Sequence, residues 1–349
     1  MASHRRPKQP SRTRVTVLTT AAAAAVALSA QAANAAPSAK PTKNEVKSKV
    51  DKLYDEAEKA TEKYNGAKEK QDKLEKQIST LQDTVARGQE DLNKLRDGIG
   101  SMASAQYRTG SIDPSVQLFL SSNPDDFLDK ASTLNQLSGQ QVGALKKIQE
   151  KQRELAQERK EASDKLKDLA ATRTELGKKK KEVQGKLAQA QKLLLSMTAQ
   201  ERAAMKAEES RASRASERAV LSGGSSSGST AVGSGRAGAA FAAAQSKIGS
   251  PYSWGGTGPY AFDCSGLTSW AYRQAGVTIS RMSEQQANDG TRIYSVSQLK
   301  VGDLVLFYGD LHHVGLYAGN GQVLHAPHTG ANVRYESIGN MPFQFGVRI

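Results

Sequence analysis

The chain has 349 residues, and its 49 Lys and Arg against 35 Asp and Glu give a formal net charge of +14. This length accommodates two domains. A single cysteine excludes any intramolecular disulfide framework.

The first 35 residues have the composition of a secretory signal peptide. Basic side chains between Arg5 and Arg14 precede an apolar run over residues 15–28, and Ala33-Asn34-Ala35 supplies the small-x-small pattern of a cleavage site. The apolar run is shorter than the about 20 residues that a membrane-spanning helix needs. We therefore predict export with cleavage rather than an uncleaved anchor, with no transmembrane span in the mature chain.

Export also bears on the positive charge of the chain. It removes nucleic acid as the usual partner of a basic protein, so we predict no nucleic-acid binding. The basic excess then belongs either to a solvated helix surface or to attraction toward an anionic wall polymer or membrane surface.

Residues 44–200 carry a long helical repeat. Apolar positions recur in steps of three and four over residues 46–102 and again over 134–194. Such a sustained period predicts a coiled coil. Two prolines within residues 107–130 are hard to place inside a continuous helix. We therefore expect an all-α antiparallel coiled-coil hairpin with segment 107–130 at its far end.

This apical segment is more apolar than either predicted helix. Its large apolar side chains are Val116, Leu118, Phe119, Leu120, Phe127 and Leu128. They form either a cluster that closes the hairpin or a docking surface for a partner, and the sequence leaves both interpretations open.

A Gly- and Ser-rich linker is predicted over residues 201–238. The helical repeat fades after Leu194, and residues 222–238 consist almost wholly of Gly, Ser, Thr and Ala. This composition is typical of a flexible tether. It separates the hairpin from a compact domain over residues 239–349.

The single cysteine stands in Asp263-Cys264-Ser265-Gly266, just before an apolar pattern of helical spacing. With Asp263 as N-cap, Cys264 falls in the first helical turn. There the unpaired amides and the helix dipole favour a thiolate and could receive an oxyanion. A lone exported thiol is an inert apolar residue, an intermolecular cross-link or a nucleophile, and this context favours a nucleophile.

Four histidines lie close together between His312 and His328. A nucleophilic thiol needs a base and a third polar group that orients the base. His313 and His325 are the candidates for these roles, and His312 and His328 are less well supported. A metal site is the rival interpretation, but no HExxH or CxxC pattern accompanies the histidines. We predict neither a metal nor another cofactor.

The two candidate histidines belong to a predicted hairpin, with strands over residues 314–318 and 322–326 around Gly319-Asn320-Gly321. A two-residue turn would direct His313 and His325 to opposite faces of the sheet. A three-residue turn would direct both to the same face. If both serve Cys264, the three-residue turn is required.

Five motifs in residues 239–349 together resemble the NlpC/P60 family of cysteine peptidases. These motifs are Pro251-Tyr252-Ser253-Trp254-Gly255-Gly256, Phe262-Asp263-Cys264-Ser265-Gly266-Leu267, Arg281-Met282-Ser283 with Gln286, Val301-Gly302-Asp303-Leu304-Val305 and His313-Val314-Gly315-Leu316-Tyr317. The resemblance implies a papain-like α+β fold. It also implies cleavage of peptidoglycan stem peptides between D-glutamate and the diamino acid.

The same resemblance implies roles for individual residues. Cys264 is the expected nucleophile, His313 the base and His325 the third residue that orients the base. Tyr252 is the expected active-site tyrosine near the nucleophile. The residues implied to line or support the substrate groove are Asp263, Ser265, Arg281, Ser283 and Gln286.

The hairpin is similar to those of actinobacterial and streptococcal cell-division hydrolases. In those relatives it docks on a membrane complex of the FtsE/FtsX type or occludes the active site until it is removed. With the basic, alanine-rich leader, this implies a secreted and regulated wall hydrolase of a Gram-positive actinobacterial cell. Two other functions stay open: an N-acetylmuramoyl-L-alanine amidase on the same scaffold, and a non-catalytic coiled-coil activator of other wall hydrolases.

Overall fold

The computed structural model describes residues 42–108, 116, 124–222 and 235–349. The predicted signal peptide and most of the apical segment therefore lie outside the described residues. Two long helices dominate the N-terminal part, α1 (Lys43–Arg108) and α2 (Pro124–Ser196). Within the described ranges, no helix is long and apolar enough to cross a membrane.

Helices α1 and α2 pack against each other in antiparallel orientation. Arg173 pairs with Glu75 at 3.0 Å, and Arg159 donates to Gln89 at 2.6 Å, so residue numbers rise along one helix as they fall along the other. The buried apolar positions recur with the predicted spacing. They are Val46, Val50, Ala57, Ala60, Ala67, Leu74, Ile78, Leu92, Leu155, Leu169, Val183 and Ala190. The predicted helical hairpin is confirmed.

A third helix, α3 (Ala199–Ser222), occupies much of the region predicted as linker. Its start is a capping box: the Glu201 amide donates to Thr198 Oγ1 at 3.2 Å, and the Thr198 amide donates to the Glu201 carboxylate at 2.7 Å. The linker prediction over residues 201–238 is therefore wrong as far as Ser222. Residues 223–234 lie outside the described residues.

Residues 235–349, all described, combine three α-helices with a six-stranded antiparallel sheet. The helices are α4 (Arg236–Gln245), α5 (Cys264–Gln274) and α6 (Ser283–Gln286). The strands are β1 (Thr291–Ile293), β2 (Leu304–Phe307), β3 (His313–Gly319), β4 (Gln322–His325), β5 (Arg334–Ser337) and β6 (Phe343–Arg348). Their order in the sheet is β1-β6-β2-β3-β4-β5. The predicted α+β architecture is confirmed.

The sheet is buried on both faces around β2. Leu304 and Leu306 pack in one apolar cluster with Leu267 of α5, whereas Val305 and Phe307 belong to a second cluster. Alternate residues of a strand point to opposite faces, so a continuous apolar run suits a strand covered on both sides. This packing holds α5 against β3 and so brings Cys264 close to the histidine-bearing strands.

Candidate active site

Cys264 is the first residue of α5 and is buried. The side chain of Asp263 caps the helix by accepting a hydrogen bond from the Gly266 amide at 2.6 Å. The predicted N-cap and the predicted position of the thiol are therefore both confirmed.

The turn between β3 and β4 differs from the expected one. Gly319 pairs with Gln322, which leaves a two-residue turn of Asn320 and Gly321, so the expected three-residue turn is wrong. A register shift between Tyr317 and Gly319 adds one residue to β3. Such a bulge reverses the facing of every residue beyond it. The bulge thus produces the shared face that a longer turn was expected to provide.

His313 and His325 consequently meet. His313 Nε2 lies 2.8 Å from His325 Nδ1, and both rings are buried. A ring nitrogen of His313 and the Cys264 Sγ lie within 4.8 Å of each other. The thiol, its candidate base and the third residue therefore follow one another in the order that nucleophilic catalysis requires.

Arg281 braces the start of α5. Its Nη2 donates to Asp263 Oδ2 at 2.6 Å, and its Nη1 donates to Ser265 Oγ at 2.7 Å. The Asp263 carboxylate is fully buried, and a buried carboxylate needs such a partner. These three residues lie beside the thiol, as expected for groups that line or support a groove.

Gln286 supports the site from behind. Its Nε2 donates to the Ser265 carbonyl at 3.0 Å, while its Oε1 accepts from Thr268 Oγ1 at 2.7 Å. The side chain is fully buried, so it holds α5 in place rather than facing the groove. Ser283 and Tyr252 are also buried next to the site, and burial raises the pKa of the Tyr252 hydroxyl well above its ordinary value.

One face of α1 covers the thiol and the histidines. Tyr54, Glu58, Glu62 and Asn65 follow at steps of four, four and three, the spacing of a single helix face. Glu58 is 8% exposed and Glu62 is 2% exposed, which is unusual for carboxylates. These residues were not predicted as part of the site, because polar positions of a coiled coil are ordinarily solvated. Two glutamates one turn apart carry no signal that separates a buried pair from a solvated pair.

Glu62 occupies the space in front of the Cys264 thiol. Its Oε1 accepts from Ser265 Oγ at 2.7 Å and lies 3.7 Å from the Cys264 thiol, and its Oε2 accepts from the Ser283 amide at 3.0 Å. Asn65, less than one turn further, donates to Asp263 Oδ2 at 3.0 Å. A substrate carbonyl could not reach Cys264 Sγ while this carboxylate is in place.

Glu58 lies against the base. Its Oε1 is 3.1 Å from His313 Nδ1. Burial lowers the pKa of His313, but the nearby carboxylates, Glu58 foremost and then Glu336 and Glu62, together outweigh burial and the net pKa is raised. In this arrangement His313 is held toward its protonated form, which cannot accept the thiol proton.

The electrostatics of the thiol differ from the sequence-based expectation. Burial, and then the charges of Glu62, Glu58 and Asp263, raise the pKa of Cys264 well above its ordinary value. The amides at the start of α5 favour a thiolate, but three nearby carboxylates oppose it. The covered site therefore holds a neutral, unreactive thiol.

Aromatic contacts extend the covered region on both sides of the thiol. Tyr54 stacks on His328 with ring centroids 4.5 Å apart, and Tyr64 meets Trp254 edge-on at 5.0 Å. About 15 Å of helix separates positions ten residues apart, at 1.5 Å per residue. Helix α1 thus covers a groove of that length.

Glu58, Cys264 and His313 each place one ligand-type atom within 4.8 Å of the others, a spacing that a metal ion could also span. The hydrogen-bond distance between Glu58 and His313 already accounts for this approach. We therefore assign the cluster to a thiol–imidazole pair with a covering carboxylate rather than to a metal centre.

Comparison with known proteins indicates the family of the C-terminal domain. Residues 249–346 match the sequence model of the NlpC/P60 family. Over 106 residues the chain is 53% identical to a protein of Corynebacterium glutamicum named as a probable endopeptidase, a match covering 30% of this chain and 50% of that relative. Over 100 residues it is 49% identical to probable endopeptidase p60 of Listeria monocytogenes, covering 28% of this chain and 20% of the relative. The matches thus span half or less of these relatives.

Among solved structures, the NlpC/P60 domain of the peptidoglycan hydrolase SagA is 41% identical. The match covers 32% of this chain and 98% of that domain, with a TM-score of 0.30.

Proposed function

Through its C-terminal domain this chain belongs to the NlpC/P60 family, and from that premise we propose that it is a cysteine peptidase acting on peptidoglycan stem peptides. The bond we assign is the one between D-glutamate and the diamino acid. The observation that carries the proposal is that Cys264, at the start of α5, lies next to His313 of β3, which in turn contacts His325 of β4.

The mechanism follows from the positions of these groups. With the groove open, His313 takes the proton of the thiol, and Cys264 Sγ attacks the carbonyl carbon of the scissile amide. The Cys264 amide at the helix start stabilises the oxyanion. The imidazolium of His313 then protonates the leaving amine, which leaves a thioester on Cys264. A water molecule deprotonated by His313 hydrolyses the thioester and regenerates the thiol.

We propose further that the hairpin regulates this activity by covering the groove. Glu62 faces the nucleophile, Glu58 faces the base, and both are buried on the same face of α1. We call this arrangement the closed chain. A variant carrying Glu58→Arg and Glu62→Arg, the unlocked chain, would place two cations beside His313 and Arg281 and so disfavour closure.

The cellular setting is part of the proposal. The leader predicted over residues 1–35 and the wall-hydrolase family support secretion to the wall of a Gram-positive actinobacterial cell. Release of a covered groove requires a force or a competing contact on the hairpin. A membrane division complex that binds the far end of the hairpin would supply it, and Leu128 at the start of α2 is 66% exposed there.

Replacement of the nucleophile tests the catalytic proposal. In the unlocked chain we expect Cys264→Ala and Cys264→Ser to reduce hydrolysis of a stem peptide by about 10⁴-fold or more, because loss of a nucleophile removes the covalent route. Mass spectrometry of digested peptidoglycan measures both the rate and the bond cleaved. Retained cleavage by either variant would reject the assignment.

The fragments released from peptidoglycan also distinguish the proposed endopeptidase from the two other functions. Cleavage at the proposed bond leaves a new N-terminal diamino acid, whereas an amidase releases the entire stem peptide from the muramic acid. A non-catalytic activator would leave peptidoglycan intact on its own and would stimulate a second hydrolase equally well with Cys264→Ala.

Gly315 permits the approach of the two histidines. A Cβ built on Gly315 would lie 3.0 Å from the His325 Cβ and closer still to Val323 Cγ2. We expect Gly315→Ala in the unlocked chain to displace His325 and to lower kcat by about 100-fold, the cost of a misplacement near 1 Å. Gly339→Ala is the matched control, because its Cβ would meet only Ser337 Oγ at 3.7 Å. Equal kcat values for the two variants would contradict this role.

A further inference from the structure

The Nε2 atom of His325 faces a carboxylate that takes no part in the catalytic steps described above. His325 Nε2 lies 3.2 Å from Glu336 Oε2. Strand β5 pairs with β4 so that His325 lies opposite Arg334, and Glu336 is the next residue of β5 on the same face. Diagonal neighbours on one face of a sheet are within reach of each other.

Glu336 is held in its charged form. Burial raises the pKa of Glu336, but His325 and Arg334 outweigh burial and the net pKa is well below its ordinary value. Arg334 Nη2 lies 3.1 Å from Glu336 Oε2. Burial lowers the pKa of His325 to about 4, so this imidazole is neutral at neutral pH.

These charge states determine where the protons lie. An ionised carboxylate can only accept, so the proton of neutral His325 is on Nε2, facing Glu336. His325 Nδ1 then carries a lone pair and must accept from His313 Nε2–H at 2.8 Å. When Glu58 is withdrawn, neutral His313 is left with its lone pair on Nδ1, the atom that Glu58 contacts in the closed chain.

We propose that Glu336 is a positioning residue of this active site. By holding the proton on His325 Nε2, it sets the tautomer of His325 and through it the tautomer of His313. Its negative charge also stabilises the His313 imidazolium that forms when Cys264 gives up its proton. This inference rests on the proposed function of Cys264 and His313.

Arg334 links Glu336 to helix α3, which follows the helical hairpin in the chain. Its guanidinium contacts Glu336 and also Glu209 of α3, which lies 3.7 Å from His328 Nε2 as well. Arg334 therefore has two carboxylate partners in the closed chain.

Kinetics of the unlocked chain test the role of Glu336. Where an imidazole binds a metal, loss of the carboxylate that contacts its other nitrogen lowers metal affinity or activity by about 10- to 100-fold. We expect Glu336→Leu to lower kcat by about the same factor, with KM changed less than about twofold. Glu336→Gln keeps an acceptor without the charge, so its loss should be smaller. Asn340→Ala is the control, because Asn340 donates to Glu336 Oε1 at 3.3 Å without touching His325.

The pH profile gives a readout that a structural role would not change. Removing an anion lowers the pKa of a nearby imidazolium. The acidic limb of kcat/KM should therefore move to lower pH in both Glu336→Leu and Glu336→Gln, and it should stay in place in Asn340→Ala. An unmoved limb in both Glu336 variants would overturn the proposal.

Nitrogen-15 spectra of histidine-labelled full-length protein test the tautomer without any requirement for activity. We expect His325 protonated on Nε2 in the unsubstituted chain and a tautomer mixture in Glu336→Leu. The same tautomer in both would overturn the proposal. If the unlocked chain fails to hydrolyse peptidoglycan while the spectra change as expected, the proposed function fails and the assignment of Glu336 to His325 stands.

Discussion

The unlocked chain, Glu58→Arg with Glu62→Arg, should hydrolyse peptidoglycan at least about 100-fold faster than the unsubstituted chain. In the closed chain the two cations would lie beside His313 and Arg281, in surroundings that exclude water. A buried charge without a partner costs about 3–5 kcal/mol. A 100-fold shift of the equilibrium needs only about 2.8 kcal/mol, at 1.4 kcal/mol for each factor of ten.

The rate of Cys264 alkylation by iodoacetamide gives a second measure of opening that needs no substrate, and it should rise together with hydrolysis. A matched control carries Glu69→Arg and Glu90→Arg, which make the same change of charge on exposed positions of α1. The control should behave as the unsubstituted chain. If hydrolysis and alkylation were the same in the unlocked and the unsubstituted chain, the hairpin would not regulate the site.

The second large effect is a dependence of closure on pH. Burial, and then the charge of Asp263, raise the pKa of Glu62 to about 7 in the closed chain, against 4.5 for an ordinary glutamate. The closed chain therefore keeps a proton that the open chain has lost. This contribution to closure is fully present below pH 4.5 and is lost as the pH rises through 7.

His313 acts in the same direction. Its pKa in the closed chain is raised above the ordinary 6.5, since Glu58 together with Glu336 and Glu62 outweighs the effect of burial. The stabilisation of closure from this group is present below pH 6.5 and is lost as the pH rises through the closed-chain pKa. The charged and titratable groups around Glu62 are Asp263, Arg281 and Cys264, and those around His313 are Glu58, Glu62, Cys264, His325 and Glu336.

We expect the alkylation rate of the unsubstituted chain, divided by that of the unlocked chain, to rise about 10- to 100-fold from pH 5 to pH 8, at one factor of ten per pKa unit. Dividing by the rate of the unlocked chain cancels the pH dependence of the alkylation reaction, so that only the pH dependence of closure is left. Glu62→Gln keeps an acceptor for the Ser283 amide and cannot ionise, so its ratio should rise much less. An equally steep rise in Glu62→Gln would exclude Glu62 as the titrating group.

Local sequence patterns were sufficient for much of the fold and for the position of the Cys264 thiol at a helix start. The spacing of apolar residues predicted both long helices, and Asp263 before Cys264 predicted the helix start that presents the thiol. These features depend on residues within one or two turns of each other. The capping box of α3 is likewise visible in the sequence as Thr198 followed three residues later by Glu201. The Gly- and Ser-rich composition of the following segment had instead favoured a linker.

The β3–β4 hairpin, which carries both histidines, could not be predicted in full from such local patterns. The place of its turn was predicted correctly, but the turn has two residues rather than three. One extra residue in β3 brings His313 onto the same face as His325, and a bulge has no sequence signature as definite as Asn-Gly. Glu336 was missed for a related reason. Its contact with His325 depends on the pairing of β4 with β5, which the sequence alone does not fix.

Residues close together in the chain were thus enough to predict that Cys264 begins a helix in an NlpC/P60 domain and that a long helical hairpin precedes it. The protonation and the burial of that thiol depend instead on tertiary packing. Glu62 and Cys264 are separated by about 200 residues, and their approach depends on how α1 packs against the domain. A glutamate on a helix is ordinarily solvated. Glu62 is instead buried beside Cys264, where burial and then the charge of Glu62 raise the pKa of the thiol. We propose that the same carboxylate keeps substrate away from the sulfur.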